Sequence, residues 1–239
     1  GLGGAELQAQ LLSPLLDDPV RAVRIAAVWQ LAQLPAELRQ GAQARWRAAL
    51  GEYEAVQNHL RERAEANFNL AMLYLLDGRP DKVETALREA LQRDARFHPA
   101  RVMLAQWLER QGRAAAALDL LREGCAAYPQ DAALRHALGL ALVRRGEPRQ
   151  ALAALAEASE LAPDNSDYAY VYAVALHDTG SAERARAALH QQLERTPGNR
   201  AMRLALLSYA REAGQLHLAR QLLEELKQIN PGDPALPLE

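Results

Sequence analysis

Six histidines and one cysteine are the residues of this 239-residue chain that could carry metal or nucleophilic chemistry. The histidines are His59, His98, His136, His177, His190 and His217. No two stand at the close i, i+4 spacing that lets imidazoles on one helix share a zinc ion. Cys125 is alone, so neither an intrachain disulfide nor a thiolate cluster can form, and its apolar surroundings predict a buried packing role. Gly1-Leu2-Gly3-Gly4 precedes a helical pattern but lacks the Lys-Ser/Thr and the preceding strand of a phosphate-binding loop. There is no Gly-x-Ser-x-Gly segment, and no nucleophile has an evident base. Carboxylates are scattered over what read as solvated helix faces. No catalytic residue, metal site or cofactor is expected, and the chain reads as non-enzymatic.

The bulk numbers narrow the class. Hydrophobic residues make up 49% of the chain and aromatics only 5%, with Ala, Leu, Arg, Glu and Gln abundant. These are strong helix formers. A formal charge of −2 and a pI near 6.4 leave no broad basic footprint for nucleic acid. No apolar run is long enough to span a membrane. The chain lacks an initiator Met and a signal-peptide pattern, and reads as a piece of a longer protein, with Leu238-Glu239 as a cloning-site remnant. Lack of disulfides fits the cytoplasm and equally a periplasmic protein.

The elements that must position any site follow from one period. Gly78, Gly112, Gly146, Gly180 and Gly214 stand 34 residues apart. Val83, Ala117, Ala151, Ala185 and Ala219 keep the same period, as do Leu87, Leu121, Leu155, Leu189 and Leu223. Pro129, Pro163, Pro197 and Pro231 form another series, with Ala95 in the first place. A fixed period of this length marks stacked repeats. The third repeat predicts one helix over 132–144, ended at Gly146 where positive φ is wanted, and a second over 149–161, stopped by Pro163. Gly139, Ala151 and Ala158 are small enough to let those helices approach closely.

This pattern resembles the tetratricopeptide repeat, a helix-turn-helix unit with a small residue at position 8, Gly at 15, Ala at 20, a large apolar residue at 24, Ala at 27 and Pro at 32. Five units follow in register: 64–97, 98–131, 132–165, 166–199 and 200–233, leaving an extended tail at 234–239. Departures are Leu207 at position 8 and Gly124, Gln192 and Leu226 at position 27. The resemblance implies an all-α fold, a right-handed α-α superhelix (solenoid) of tetratricopeptide units. Residues 1–63 are expected to form an N-terminal helical cap. Within it, Asp18-Pro19 followed by Arg24 resembles the turn of a HEAT repeat, where an Asp ties to an Arg on the next helix. Pro35 breaks the chain, and a linking helix is expected over 42–61, with Ala49, Tyr53 and Val56 inward.

In this family a concave groove is lined by the first helix of each pair. Carrying repeat positions 5 and 9 onto this chain gives Phe68, Met72, Val102, Gln106, His136, Leu140, Tyr170, Val174, Leu204 and Ser208. Family members that clamp acidic C-terminal tails use Lys, Asn and Arg at such positions, a set this chain lacks. Seven of the ten residues are apolar, which points to a protein or peptide partner offering an apolar or amphipathic segment. Two alternatives stand beside it: facing helices that close on each other, and filling by residues 1–16 with their Leu7, Leu11, Leu12, Leu15 and Leu16. Leu218, Leu222, Leu226 and Ile229 share one side of the last helix, which predicts cover by further chain or a twofold homodimer.

The function expected is that of an interaction scaffold. The stretches 17–24 and 168–176 resemble the C-terminal part of bacterial proteins that join multihaem cytochrome-c segments to such repeats. That resemblance implies a periplasmic electron-transfer parent with this piece as its docking arm. No Cys-x-x-Cys-His haem motif occurs in the chain. The competing reading is the substrate-recognition part of an enzyme whose catalytic domain lies elsewhere in the parent, and a structural subunit of an envelope complex is a further one.

Overall fold

The structure, a computed structural model, describes residues 3–230. Every regular element among them is helical. The expected tail at 234–239 lies outside the described residues. The chain divides into two compact units, residues 1–111 and 112–239.

The first unit holds α1 (Gly4–Leu12), α2 (Arg21–Ala32), α3 (Gln43–His59), α4 (Ala64–Leu76), α5 (Val83–Arg93) and α6 (His98–Arg110), with short 3-10 turns at Ser13–Asp17, Ala36–Ala42 and Pro80–Lys82. Its N-terminal core gathers Leu16, Val28, Leu31, Trp46, Ala49, Leu50, Tyr53 and Leu73. The Trp46 indole N–H donates to the Asp77 carboxylate at 3.1 Å, so the buried ring keeps its polar edge satisfied. Helix α1 packs on α2 and the adjoining turns, its Ala9 joining the core that also holds Leu16 of the first 3-10 turn. Leu7 and Leu11 remain 49% and 64% exposed, so these two leucines do not plug a groove.

The turn before α2 differs from expectation in its chemistry. Arg24 does reach Asp18, but Nη1 donates to the Asp18 main-chain carbonyl at 2.6 Å. The Asp18 carboxylate instead accepts from the Val20 N–H at 2.7 Å. The Arg24 charge is met by Glu52 on α3, both carboxylate oxygens lying within 3.0 Å of Nη2. A carboxylate 28 residues away thus supplies the charged partner of Arg24, and Asp18 ties to it through the main chain.

The second unit holds α7 (Ala114–Ala127), α8 (Ala132–Arg145), α9 (Pro148–Leu161), α10 (Ser166–Asp178), α11 (Ala182–Arg195), α12 (Arg200–Glu212) and α13 (Leu216–Ile229). Each packs against the next in order. Gly146 has φ of 76°, and the bonds Gly146 N–H to Val143 O and Glu147 N–H to Leu142 O close the end of α8. Gly180 and Gly214 take the same left-handed state, as Gly78 does in the first unit. At Gly139 a Cβ would lie 2.6 Å from the Leu155 side chain, so the absence of a side chain sets how closely α8 and α9 pack. Cys125 is buried.

The last helix corrects one expectation. Leu222 and Leu226 are buried at 3% and 1% exposure in the core with Met202 and Leu206, because α13 turns this side onto α12. Leu218 also packs partly on that core, leaving Ile229, 45% exposed, as the open member of the four.

Candidate partner-binding surface

The first helix of each expected repeat carries two kinds of side chain. On α4, Leu70, Ala71 and Leu73 are buried, and on α6 so are Leu104, Ala105, Trp107 and Leu108. Phe68 and Met72 on α4 and Val102 on α6 are only half-buried, and Gln106 is exposed. The 3.6-residue period explains the division, since residues three and four apart share a face and those between do not. The Phe68 ring meets Phe97 edge-on, centroids 5.5 Å apart. Phe97 ends the turn between α5 and α6, and the helical pattern alone did not reveal this contact.

In the second unit His136, Leu140, Tyr170, Val174 and Leu204 are half-buried and Ser208 is exposed. Tyr170 and Leu204 pack from outside against one core cluster, which brings them onto the same body. His136 stacks on Tyr168, centroids 4.4 Å apart with planes at 25°. Its Nδ1 is buried without a hydrogen-bond partner. Burial pushes the imidazole pKa below its ordinary value, and the Asp167 carboxylate opposes the shift only in part.

A second imidazole–phenol stack lies between the next two repeats. His177 covers Tyr209 with centroids 3.7 Å apart and planes at 4°. His177 Nε2 lies 3.0 Å from Glu212 Oε2, and Ser208 Oγ donates to Glu212 Oε1 at 3.0 Å. Burial, reinforced by the charge of Asp178 and by Tyr170 and Glu212, pushes the Tyr209 phenol to about 12. Tyr209 therefore keeps its proton at neutral pH. Glu212 links an expected groove residue, Ser208, to His177. Tyr168 and Tyr209 were missed as site residues because their roles come from neighbours on another helix.

The two surfaces offer aromatic rings, aliphatic side chains and hydrogen-bonding edges. That is the equipment of recognition. Among the described residues no three His, Cys, Asp or Glu side chains converge as metal ligands. No helix of the described residues is long and apolar enough to cross a membrane.

Comparison with known proteins bears on the same helices. Two sequence models described as tetratricopeptide repeat match the chain, one over residues 108–175 and 142–209 and the other over residues 78–132. Together they span 78–209, more than half of the chain. No curated protein sequence matches. Among solved structures the chain is similar to the MamA protein, at 17% identity and a TM-score of 0.59, over 74% of this chain and 97% of that one. It is similar to YrrB, described as a tetratricopeptide protein with an unusual peptide-binding site, at 19% identity and a TM-score of 0.54, over 75% of this chain and 93% of that one. A third is a thermophilic tetratricopeptide protein of Thermus thermophilus, TTC0263, at 22% identity and a TM-score of 0.52, over 72% of this chain and 94% of that one. At such identities the likeness concerns the fold. The resemblance to multihaem cytochrome fusions rests on the two stretches quoted earlier and on nothing among these matches.

Proposed function

The chain belongs to the tetratricopeptide repeat proteins, and from that premise we propose that it is a binding module whose repeat-opening helices hold an apolar or amphipathic segment of a partner protein. One observation carries the reading. Seven of the ten groove positions are apolar, and none of the ten is buried, although buried residues surround them on the same helices. Apolar side chains left half-accessible at a regular interval make a ready surface for side chains of a partner. Each unit offers a set of its own: Phe68, Met72, Val102 and Gln106 in the first, and His136, Leu140, Tyr170, Val174, Leu204 and Ser208 in the second. The similar protein YrrB is described as having a peptide-binding site, which supports a peptide or protein ligand here. The reading assigns the chain no chemistry of its own and needs no second copy of it.

The test is a selection of peptides from a random displayed library against the chain. Enriched sequences should carry apolar residues at helical or alternate spacing. Phe68→Glu and Tyr170→Glu together should lower their affinity at least tenfold, about 1.4 kcal/mol, with an unchanged helical circular-dichroism spectrum. Selected peptides that bind the double variant as tightly as the parent would remove this surface from the proposal.

A further inference from the structure

Away from these surfaces, the second unit contains a cavity of about 370 Å³ lined by Ser159, Glu160, Pro163, Ala169, Tyr172, Ala188, Gln191, Gln192 and Arg195. Its lining comes from α9, α10, α11 and the turn at Pro163. Its distinctive member is Gln192. This residue occupies repeat position 27, where the family carries a small Ala. It is only 4% exposed, and its Nε2 has no hydrogen-bond partner. A buried amide N–H without an acceptor is rare in folded proteins and asks for an explanation.

The first unit holds the same place in the repeat, three repeats earlier, and serves as an internal control. Its cavity is about 280 Å³ and includes Asn58, Arg61, Leu70, Ala86 and Glu89, which correspond to Glu160, Pro163, Tyr172, Ala188 and Gln191. There Arg61 and Glu89 join at 2.6 Å, so two residues of the lining form an ion pair. In the second unit those positions are Pro163 and Gln191, which cannot pair. Position 27 is Ala90 in the first unit, fully buried and with no side-chain polar atom, where the second has the unsatisfied amide. One cavity is bridged by its own charges, and the other has no bridge and a buried donor without a partner in its wall.

The remaining groups define what would fit. Arg195 brings a guanidinium, with Nη1 donating to the Pro163 carbonyl at 3.2 Å and its other N–H groups left to donate. The Tyr172 hydroxyl accepts from Arg184 at 3.2 Å and retains its own proton to donate. Ser159 Oγ is committed to the Ala156 carbonyl at 2.9 Å. Glu160 is the one carboxylate of the lining. Arg195 and Tyr172 both have N–H or O–H groups to offer, and the amide that lacks a partner is a donor. We propose that this cavity is a binding site for a small carboxylate, received by Gln192 Nε2 and the Arg195 guanidinium, with the Glu160 charge weakening its hold.

The experiment follows the side-chain amide signal of Gln192 by NMR in the full chain, identified by its loss in Gln192→Leu. The probes are propionate, L-alanine and propionamide. Propionate or alanine should move the signal in a saturable way, and neutral propionamide at least tenfold more weakly. Propionate stronger than alanine marks a simple acid as the natural class, and alanine stronger than propionate marks an amino acid whose ammonium meets Glu160. Glu160→Gln should tighten propionate, and Gln192→Leu, with unchanged helical content, should abolish its effect on the remaining cavity signals. Equal binding of propionamide and propionate, no saturable shift with either acid in the millimolar range, or undiminished propionate binding by Gln192→Leu would each overturn the site.

Discussion

Gly139 and His136 sit one helical turn apart on α8 and answer to different physics. Gly139 is fixed by space. A methyl group there meets Leu155 Cγ and Cδ2 at 2.6 Å and the Leu155 backbone nitrogen at 3.3 Å, and Leu155 is fully buried. Gly139→Ala gains a little helix propensity but forces α8 and α9 apart, so a net loss of about 1–3 kcal/mol is expected in urea unfolding. His136 is fixed by solvation. Its pKa is lower folded than unfolded, so the unfolded state binds the proton first as pH falls. The neutral ring's contribution is fully present above the unfolded value near 6.5 and is lost as pH drops below it toward the folded value. The melting temperature should therefore fall from pH 7.5 to pH 5 by more in the parent than in His136→Phe. Equal falls would show that the proton enters elsewhere. His136 was legible from repeat arithmetic as a surface position, whereas its stack on Tyr168 was not, because that partner is 32 residues away on another helix.

Helices α8, α10 and α12 begin under side-chain caps. Asp131 accepts from Leu134 N–H at 2.7 Å, Asn165 from Asp167 and Tyr168, and Asn199 from Met202 at 3.1 Å. Helices α4 and α6 have no such side-chain cap, and Arg63 and Phe97 occupy the corresponding places. Asp131→Ala should cost about 1 kcal/mol, read as faster amide exchange in the first turn of α8. Exchange unchanged at Leu134 would mean that packing on α7 and α9 holds the helix start without the cap. Helix boundaries were the most legible part of this fold. Gly146 at its fixed phase and Pro163 after the second helix placed α8 and α9 to within about a residue, because turn chemistry is local. The destination of α13 was less legible. Its leucines read as an open stripe, yet Leu222 and Leu226 are core, since an amphipathic helix announces that a face is buried but not against what.

At the level of the whole molecule, the sequence carried the repeat architecture and the outward positions of its first helices, since both depend on periodicity. It did not disclose the pairing of Arg24 with Glu52 or the cavity at Gln192, since both depend on which side chains of distant segments meet. Gln192 was visible only as a departure from the expected Ala. The five glycines at the repeat turns share left-handed φ values between 68° and 82°, and nothing lies within 4 Å of a Cβ built on any of them. They are held by backbone conformation, without a neighbour that names which turn is which. Within the second unit, Gly146 and Gly180 are accordingly interchangeable as splice points: excising residues 147–180 would leave Gly146 feeding Ser181 through the same turn. Removing or inserting whole 34-residue steps at these turns thus leaves the junction itself unchanged, and the length of such a chain can vary without a new turn having to be found.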